Sequence, residues 1–235
     1  AFAGNAAIYD SPAGVHVVQG SIRDLWASQG YETGPLGYPT ADEKVTPDGK
    51  GRYSEFERGV ITWTPAGGAR SISGDVVAKW RSLGGLTWER GLPVTSTLRT
   101  PDRKAWFNAF AGNAAIYDSP AGVHVVQGSI RDLWASQGYE TGPLGYPTAD
   151  EKATSDGKGR YSSFQIGTVF WTPALGPQAV YGSIFARYQA LGGVTSRLGY
   201  PTTSEYAVPG GRANDFEQGR ITWNATTGAV TVTYR

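Results

Sequence analysis

The chain of 235 residues carries 21 basic and 20 acidic side chains, a formal charge of +1, with 40% hydrophobic and 12% aromatic residues. That balance excludes a protein that wraps nucleic acid and one that lies on anionic lipid, and its aromatic content excludes a disordered chain. Cysteine is absent and there are two histidines, so disulfides, thiolate chemistry and a convincing zinc cage are excluded as well.

No apolar run approaches the roughly 18 residues of a membrane-spanning helix, so no membrane insertion is expected. Methionine is also absent, and the chain is expected to be a processed or excised piece of a longer exported protein whose signal peptide has been removed.

Phenylalanines at 2, 56, 110, 164 and 216 stand 54, 54, 54 and 52 residues apart, the period of one supersecondary unit. Residues 1–56 and 109–164 differ only at Val45/Ala153, Pro47/Ser155 and Glu55/Ser163. The near-identity indicates either a recent duplication of a two-repeat block or a deliberately assembled one, and in both cases the unit of about 54 residues is older than the 108-residue copy. A single repeat domain over 1–235 follows, with units at approximately 2–55, 56–109, 110–163 and 164–215 and a partial unit at 216–235.

In chain order, each unit opens with a hairpin. After Phe56, the stretches 57–64 and 65–74 hold two short runs rich in β-branched and aromatic residues, joined by a Pro/Gly turn. The position of Asn5, Gly59, Asn113, Gly167 and Gly219 takes only Asn or Gly, which predicts positive φ in a tight turn or bulge. A helix of about two turns is expected next, with Ser21 able to cap it and Gly30 able to end it in the left-handed region. Ile22 and Trp26 share one face of it, and the pair recurs as Val76/Trp80, Ile130/Trp134 and Ile184/Tyr188. These aromatics are expected in the core.

The helix leads into Leu36-Gly37-Tyr38-Pro39, and equivalent turns are Arg90-Gly91-Leu92-Pro93, Leu144-Gly145-Tyr146-Pro147 and Leu198-Gly199-Tyr200-Pro201. An acidic step follows at Thr40-Ala41-Asp42-Glu43, Thr148-Ala149-Asp150-Glu151 and Thr202-Thr203-Ser204-Glu205. Over essentially its whole length the chain resembles the LGFP repeat family. The second repeat departs from the pattern with Arg90, Leu92 and Thr97. The resemblance implies a secreted protein of the cell wall or envelope of mycolic-acid bacteria, such repeats often accompanying a mycoloyltransferase or amidase. It implies binding to arabinogalactan or a related wall glycan.

Residue chemistry supports a carbohydrate-binding reading beside the resemblance. A sugar ring wants an aromatic plane for its C–H face and planar hydrogen-bonding groups for its hydroxyls. Trp63, Trp171 and Trp223 close the first strand of a hairpin, Arg52, Arg160 and Arg212 each stand four residues before a Phe, and Glu43, Glu151 and Glu205 follow the Pro turn. Tyr38, Tyr146, Tyr200, His16 and His124 complete the candidate set. Each has a structural alternative that the pattern leaves open: Arg with Glu as an ion pair, Trp as sheet packing, Tyr as core.

No catalytic residues, cofactor or metal are expected. The acid and aromatic clusters come as copies, whereas a reaction centre rests on one asymmetric constellation, and no Gly-x-Ser-x-Gly elbow occurs. The chain is therefore read as a non-catalytic, monomeric glycan-binding module with several weak sites. The alternative is a structural spacer or protein-interaction platform. The architecture expected is α+β and β-rich: a compact propeller-like ring of five hairpin units with short helices between them, or an open solenoid.

Overall fold

A computed structural model describes residues 5–235; Phe2, the first of the periodic phenylalanines, lies outside the described residues. The described residues form five small antiparallel sheets and four α-helices. The first sheet pairs β1 (Ala6–Ser11) with β2 (Gly14–Gln19). The second holds β3 (Lys44–Val45), β4 (Arg52–Phe56), β5 (Gly59–Thr64) and β6 (Gly68–Ser73) in sequence order. The third holds β7 (Leu98–Arg99), β8 (Trp106–Phe110), β9 (Ala114–Ser119) and β10 (Gly122–Gln127). The fourth holds β11 (Lys152–Ala153), β12 (Arg160–Ser163), β13 (Gly167–Thr172) and β14 (Gly176–Tyr181). The fifth holds β15 (Tyr206–Val208), β16 (Gly211–Phe216), β17 (Gly219–Asn224) and β18 (Val230–Tyr234). The helices are α1 (Gly20–Ser28), α2 (Asp75–Ser82), α3 (Gly128–Ser136) and α4 (Gly182–Ala190). The chain divides into two compact units, Ala1–Val123 and His124–Arg235, the division falling within β10.

Each helix is anchored by its aromatic. Trp26, Trp80, Trp134 and Tyr188 are fully buried, each worth about 3 kcal/mol relative to exposure. Burying an indole or phenol obliges its polar tip to find a partner. Trp26 Nε1 donates to the Gly37 carbonyl at 3.2 Å, Trp134 Nε1 to Gly145 at 3.2 Å, and Tyr188 Oη to Gly199 at 2.7 Å. In the second repeat Trp80 Nε1 has no such partner. The glycine of the Pro turn is therefore both the helix aromatic's acceptor and a left-handed residue, with φ of 75° at Gly37 and 71° at Gly199. The turn itself is stitched to the hairpin by Pro39–Phe56, Pro147–Phe164 and Pro201–Phe216 bridges.

Two sequence expectations change here. Ser21 does not cap α1: the cap position is Gln19, without a side-chain bond, and Ser21 sits inside the first turn. Gly30 ends the helix in the left-handed region at φ 94°, as expected. The Asn/Gly position splits into two cases. Asn5 and Asn113 have φ of 58° and 53°. Gly59, Gly167 and Gly219 lack positive φ; they are glycine because a Cβ would collide with the carbonyl oxygens of Ile72, Val180 and Thr233.

This split changes the register. Phe56 pairs with Gly59 across a two-residue turn, whereas Phe110 pairs with Ala114 across three residues that include Asn113. The extra residue shifts β9 by one position relative to β5, and a one-residue slip exchanges the faces of a strand. Tyr117 consequently enters the core, and Asp118 stands opposite Trp106 where Trp63 stands opposite Arg52.

Candidate functional site: a repeated Trp–Arg–Glu cleft

Trp63 and Arg52 are cross-strand partners on β5 and β4, Trp171 and Arg160 on β13 and β12, and Trp223 and Arg212 on β17 and β16. Direct opposition places the two side chains on one face, with Cβ atoms about 5 Å apart. The glutamate that follows each Pro turn reaches this pair. Arg52 Nη1 lies 3.2 Å from Glu43 Oε1, and Arg160 and Arg212 bond through Nε to Glu151 and Glu205.

The ion-pair alternative left open by the sequence is thus realised in all three copies. The glutamate side chains are only 8%, 11% and 5% exposed, while their arginines are 50%, 47% and 37% exposed. Burial raises the Glu205 carboxyl above the usual carboxylate range, and Arg212 opposes that rise. The carboxylate therefore orients the guanidinium from beneath, and the arginine presents its remaining donors to solvent.

In the first unit Trp63, Arg52 and Glu43 line a cleft of about 300 Å³ whose opposite wall is Gln19, Gly20, Ser21 and Ile22. The second unit repeats it at about 200 Å³ with Trp223, Arg212 and Glu205 against Tyr181, Gly182, Ser183 and Ile184. Corresponding residues line the two clefts, although their units differ widely in sequence. Trp63 and Trp223 are half-buried, packed against their core clusters while lining the cleft. The wall was not foreseen as part of a site. It is the first turn of α1 or α4, where the cap residue makes no side-chain bond. Gly20 N and Gly182 N donate to the Asn5 and Ile166 carbonyls at 2.9 Å, and the next N–H groups of the turn have no partner within the helix. In the second unit Tyr181 Oη also accepts from Arg212 Nη2 at 2.9 Å.

Other candidates do not join these clefts. Tyr146 and Tyr200 are 4% and 5% exposed, too buried for a ring to stack on them. Tyr200 Oη donates to Asp156 Oδ1 at 2.6 Å and lies 2.8 Å from Thr154 Oγ1, locking the Gly-rich loop of the preceding repeat. Burial and the Asp156 bond push the Tyr200 hydroxyl up to about 12. Tyr38 is half-buried, its N–H donating to Glu57 Oε2 at 3.2 Å, and does not line the cleft. His16 and His124 face the acidic step, with Nδ1 3.6 Å from Asp42 Oδ1 and 3.7 Å from Asp150 Oδ1. Those aspartates accept from Val17 N and Val125 N at 2.9 and 3.0 Å. Tyr146 and Tyr200 are thus packed into the fold, and His16 and His124 stand beside the acidic step.

The second repeat carries a related cleft of about 380 Å³ with different chemistry. Ser73, Gly74 and Asp75 supply the helix wall, Thr97 stands at the glutamate position, Trp106 at the arginine position and Asp118 at the tryptophan position, with Gln29, Pro35, Arg58 and Ser71 beside them.

Repeated small sheets, each carrying a short helix and a shallow aromatic cleft, define a tandem-repeat module. The chain belongs to the LGFP repeat family, which matches residues 1–34, 36–87, 91–142, 144–196 and 198–235. The LGFP repeat is a repeat module of cell-surface proteins, not a catalytic domain. No curated protein matches the chain. Among solved structures it is similar to the extracellular domain of the BT4673 system of B. thetaiotaomicron (11% identity, 75% of this chain and 22% of that chain, TM-score 0.18). It is also similar to the AfRom2 CNH domain (9% identity, 98% and 81%, TM-score 0.23) and the hemopexin fold protein CP4 from cow pea (14% identity, 81% and 89%, TM-score 0.21). The chain spans about a fifth of the first of these, and TM-scores this low carry no argument about function. Among the described residues no helix is long and apolar enough to cross a membrane.

Proposed function

We propose that the chain is a non-catalytic module that holds a cell-wall polysaccharide, arabinogalactan or a related glycan, through several weak and equivalent clefts on an exported envelope protein. The observation that carries this reading is the recurrence of one constellation in two separate units: a half-buried Trp, a half-exposed Arg braced by a buried Glu, and an uncapped helix start. The Trp ring offers a face to sugar C–H groups, and the guanidinium and backbone N–H groups offer donors to hydroxyl oxygens. Clefts of 200 to 300 Å³ open to solvent fit one ring each. Each contact is weak, and joining several on one polymer raises affinity about 10²- to 10⁴-fold.

The closed-ring arrangement expected from the sequence belongs to this proposal. A compact 235-residue chain has a radius of gyration of about 17–18 Å, and a clearly larger value in small-angle scattering would replace the ring with an open solenoid.

Co-sedimentation with delipidated mycolata cell walls, competed by soluble arabinan or galactan, tests the function. The combined Trp63→Ala, Trp171→Ala and Trp223→Ala variant should lose sedimentation while keeping its circular dichroism. Retention only on walls that still carry protein would instead favour a protein-interaction platform. A single tight monosaccharide site in calorimetry would overturn the multivalent reading.

A further inference from the structure

The second-repeat cleft occupies the place of the regular ones but inverts their chemistry. Where the regular clefts set Arg, Trp, Glu and Ser, this one sets Trp106, Asp118, Thr97 and Asp75. Trp106 is 45% exposed. Its affinity for cations is already in use: the Arg99 guanidinium stands 5.0 Å from the ring centroid, held by an Nη2 bond to the Arg103 carbonyl at 2.8 Å.

Two carboxylates line the same space. Among the described residues no ion pair to Asp75 or Asp118 is found. Asp118 is held above the usual carboxylate range by burial and then by the neighbouring Asp75 charge. A position on the first turn of α2 accounts for Asp75, since a carboxylate is favoured at a helix start. It leaves Asp118 unexplained.

The cationic group on the wall is committed elsewhere: Arg58 donates through Nε and Nη2 to the carbonyls of Pro35 and Gly34 at 3.2 and 2.6 Å. The hydroxyls are engaged too, Ser73 Oγ with Thr97 Oγ1 at 3.4 Å and Thr97 Oγ1 with Asn108 Oδ1 at 2.8 Å. Gln29 Nε2 is used on Ser71 Oγ at 2.8 Å, while its Oε1 has no donor. Arg58 keeps its charge at the edge of this wall, faced by Glu57 Oε2 at 3.9 Å. The acceptors left open on the wall are Asp75, Asp118 and Gln29 Oε1, and a matching ligand brings donors and positive charge to them across an aromatic face.

We propose that the second-repeat cleft binds a saccharide bearing a free, protonated amine, with Trp106 beneath the ring and Asp75 and Asp118 receiving the ammonium. This site is separate from the three Trp–Arg–Glu positions and stands or falls independently of their neutral-glycan reading.

The test titrates the full chain with a short glucosamine oligomer and with its fully N-acetylated counterpart, at moderate salt and below the amine's pKa. Calorimetry gives affinity. The Trp106 indole N–H resonance, assigned by its loss in Trp106→Phe, gives location. The free-amine oligomer should move that resonance, and N-acetylation should weaken binding about tenfold or more. Asp118→Asn, which is isosteric, and Asp75→Asn should each weaken the free amine and leave the acetylated oligomer unchanged. Equal affinity for the two oligomers, or full free-amine binding by both Asp variants, overturns the proposal. Butylammonium binding as tightly as the oligomer overturns its saccharide part.

Discussion

Tyr200→Phe separates a structural tyrosine from a ligand contact. The hydroxyl donates to Asp156 Oδ1 at 2.6 Å and lies 2.8 Å from Thr154 Oγ1 in a nearly closed site. A hydrogen bond to a charged group is worth about 1.5–3 kcal/mol. Asp156 itself is solvent-exposed and keeps its bonds from Thr154 Oγ1 at 2.8 Å and Lys158 N at 3.1 Å, so water replaces part of the loss. The expected cost is about 1–1.5 kcal/mol at neutral pH.

The cost depends on pH in a defined direction. The Tyr200 bond is the main cause holding the Asp156 carboxyl below its usual value. A depressed carboxylate contributes stability above its unfolded pKa, about 3.9, and that contribution is lost as pH falls through the folded value. The gap between wild type and Tyr200→Phe should therefore shrink in acid. At the alkaline end Tyr200 is pushed up to about 12, so its contribution is complete below its unfolded value of about 10 and is lost as pH rises through the folded one. Urea unfolding at acidic, neutral and alkaline pH reads all three regimes, and wall co-sedimentation reads function on the same samples. A destabilisation that is constant across pH refutes the Asp156 bond as its source. A large drop in wall binding with unchanged stability would return Tyr200 to the ligand set.

Four further outcomes are expected. Trp26→Ala should cost about 3–5 kcal/mol in chemical unfolding, because it empties a fully buried site and strands the Gly37 carbonyl. Trp63→Ala, half-exposed at the cleft, should cost clearly less stability and chiefly reduce glycan binding. Gly59→Ala should destabilise by about 1–3 kcal/mol or more, because the new Cβ meets the Ile72 carbonyl and Leu36 Cδ2, whereas Gly20→Ala, with φ of 55° and nothing within 4 Å, should cost only about 1 kcal/mol of backbone strain; equal losses would refute the steric account. Leu92→Tyr supplies the second repeat with the hydroxyl that Tyr200 has, and Asp48 stands where Asp156 stands. Thermal melting should rise by a few degrees, and an unchanged melting temperature would mean that the Thr46–Lys50 loop gains nothing from the lock.

Much of this molecule was legible from residues alone, because its local constraints repeat. The 54-residue period, the i,i+4 apolar–aromatic pair on each helix, the Gly-Tyr-Pro turn and the Arg/Trp/Glu offsets each depend on near neighbours in the chain. Gly30 as a left-handed stop and Trp26 as a core residue follow from helix geometry. Tertiary structure decided what recurrence could not. Tyr200 is paired 44 residues upstream with Asp156, so its burial depends on a loop of another repeat. Trp63 meets the start of α1 from a different segment, which turns an ion pair and an aromatic into a cleft. The turn at Asn113 shifts a strand by one residue, and because strand faces alternate with period two, that step places Asp118 in the second-repeat cleft. Local pattern determined which elements form; register and contacts between distant segments decided which side chains share a surface.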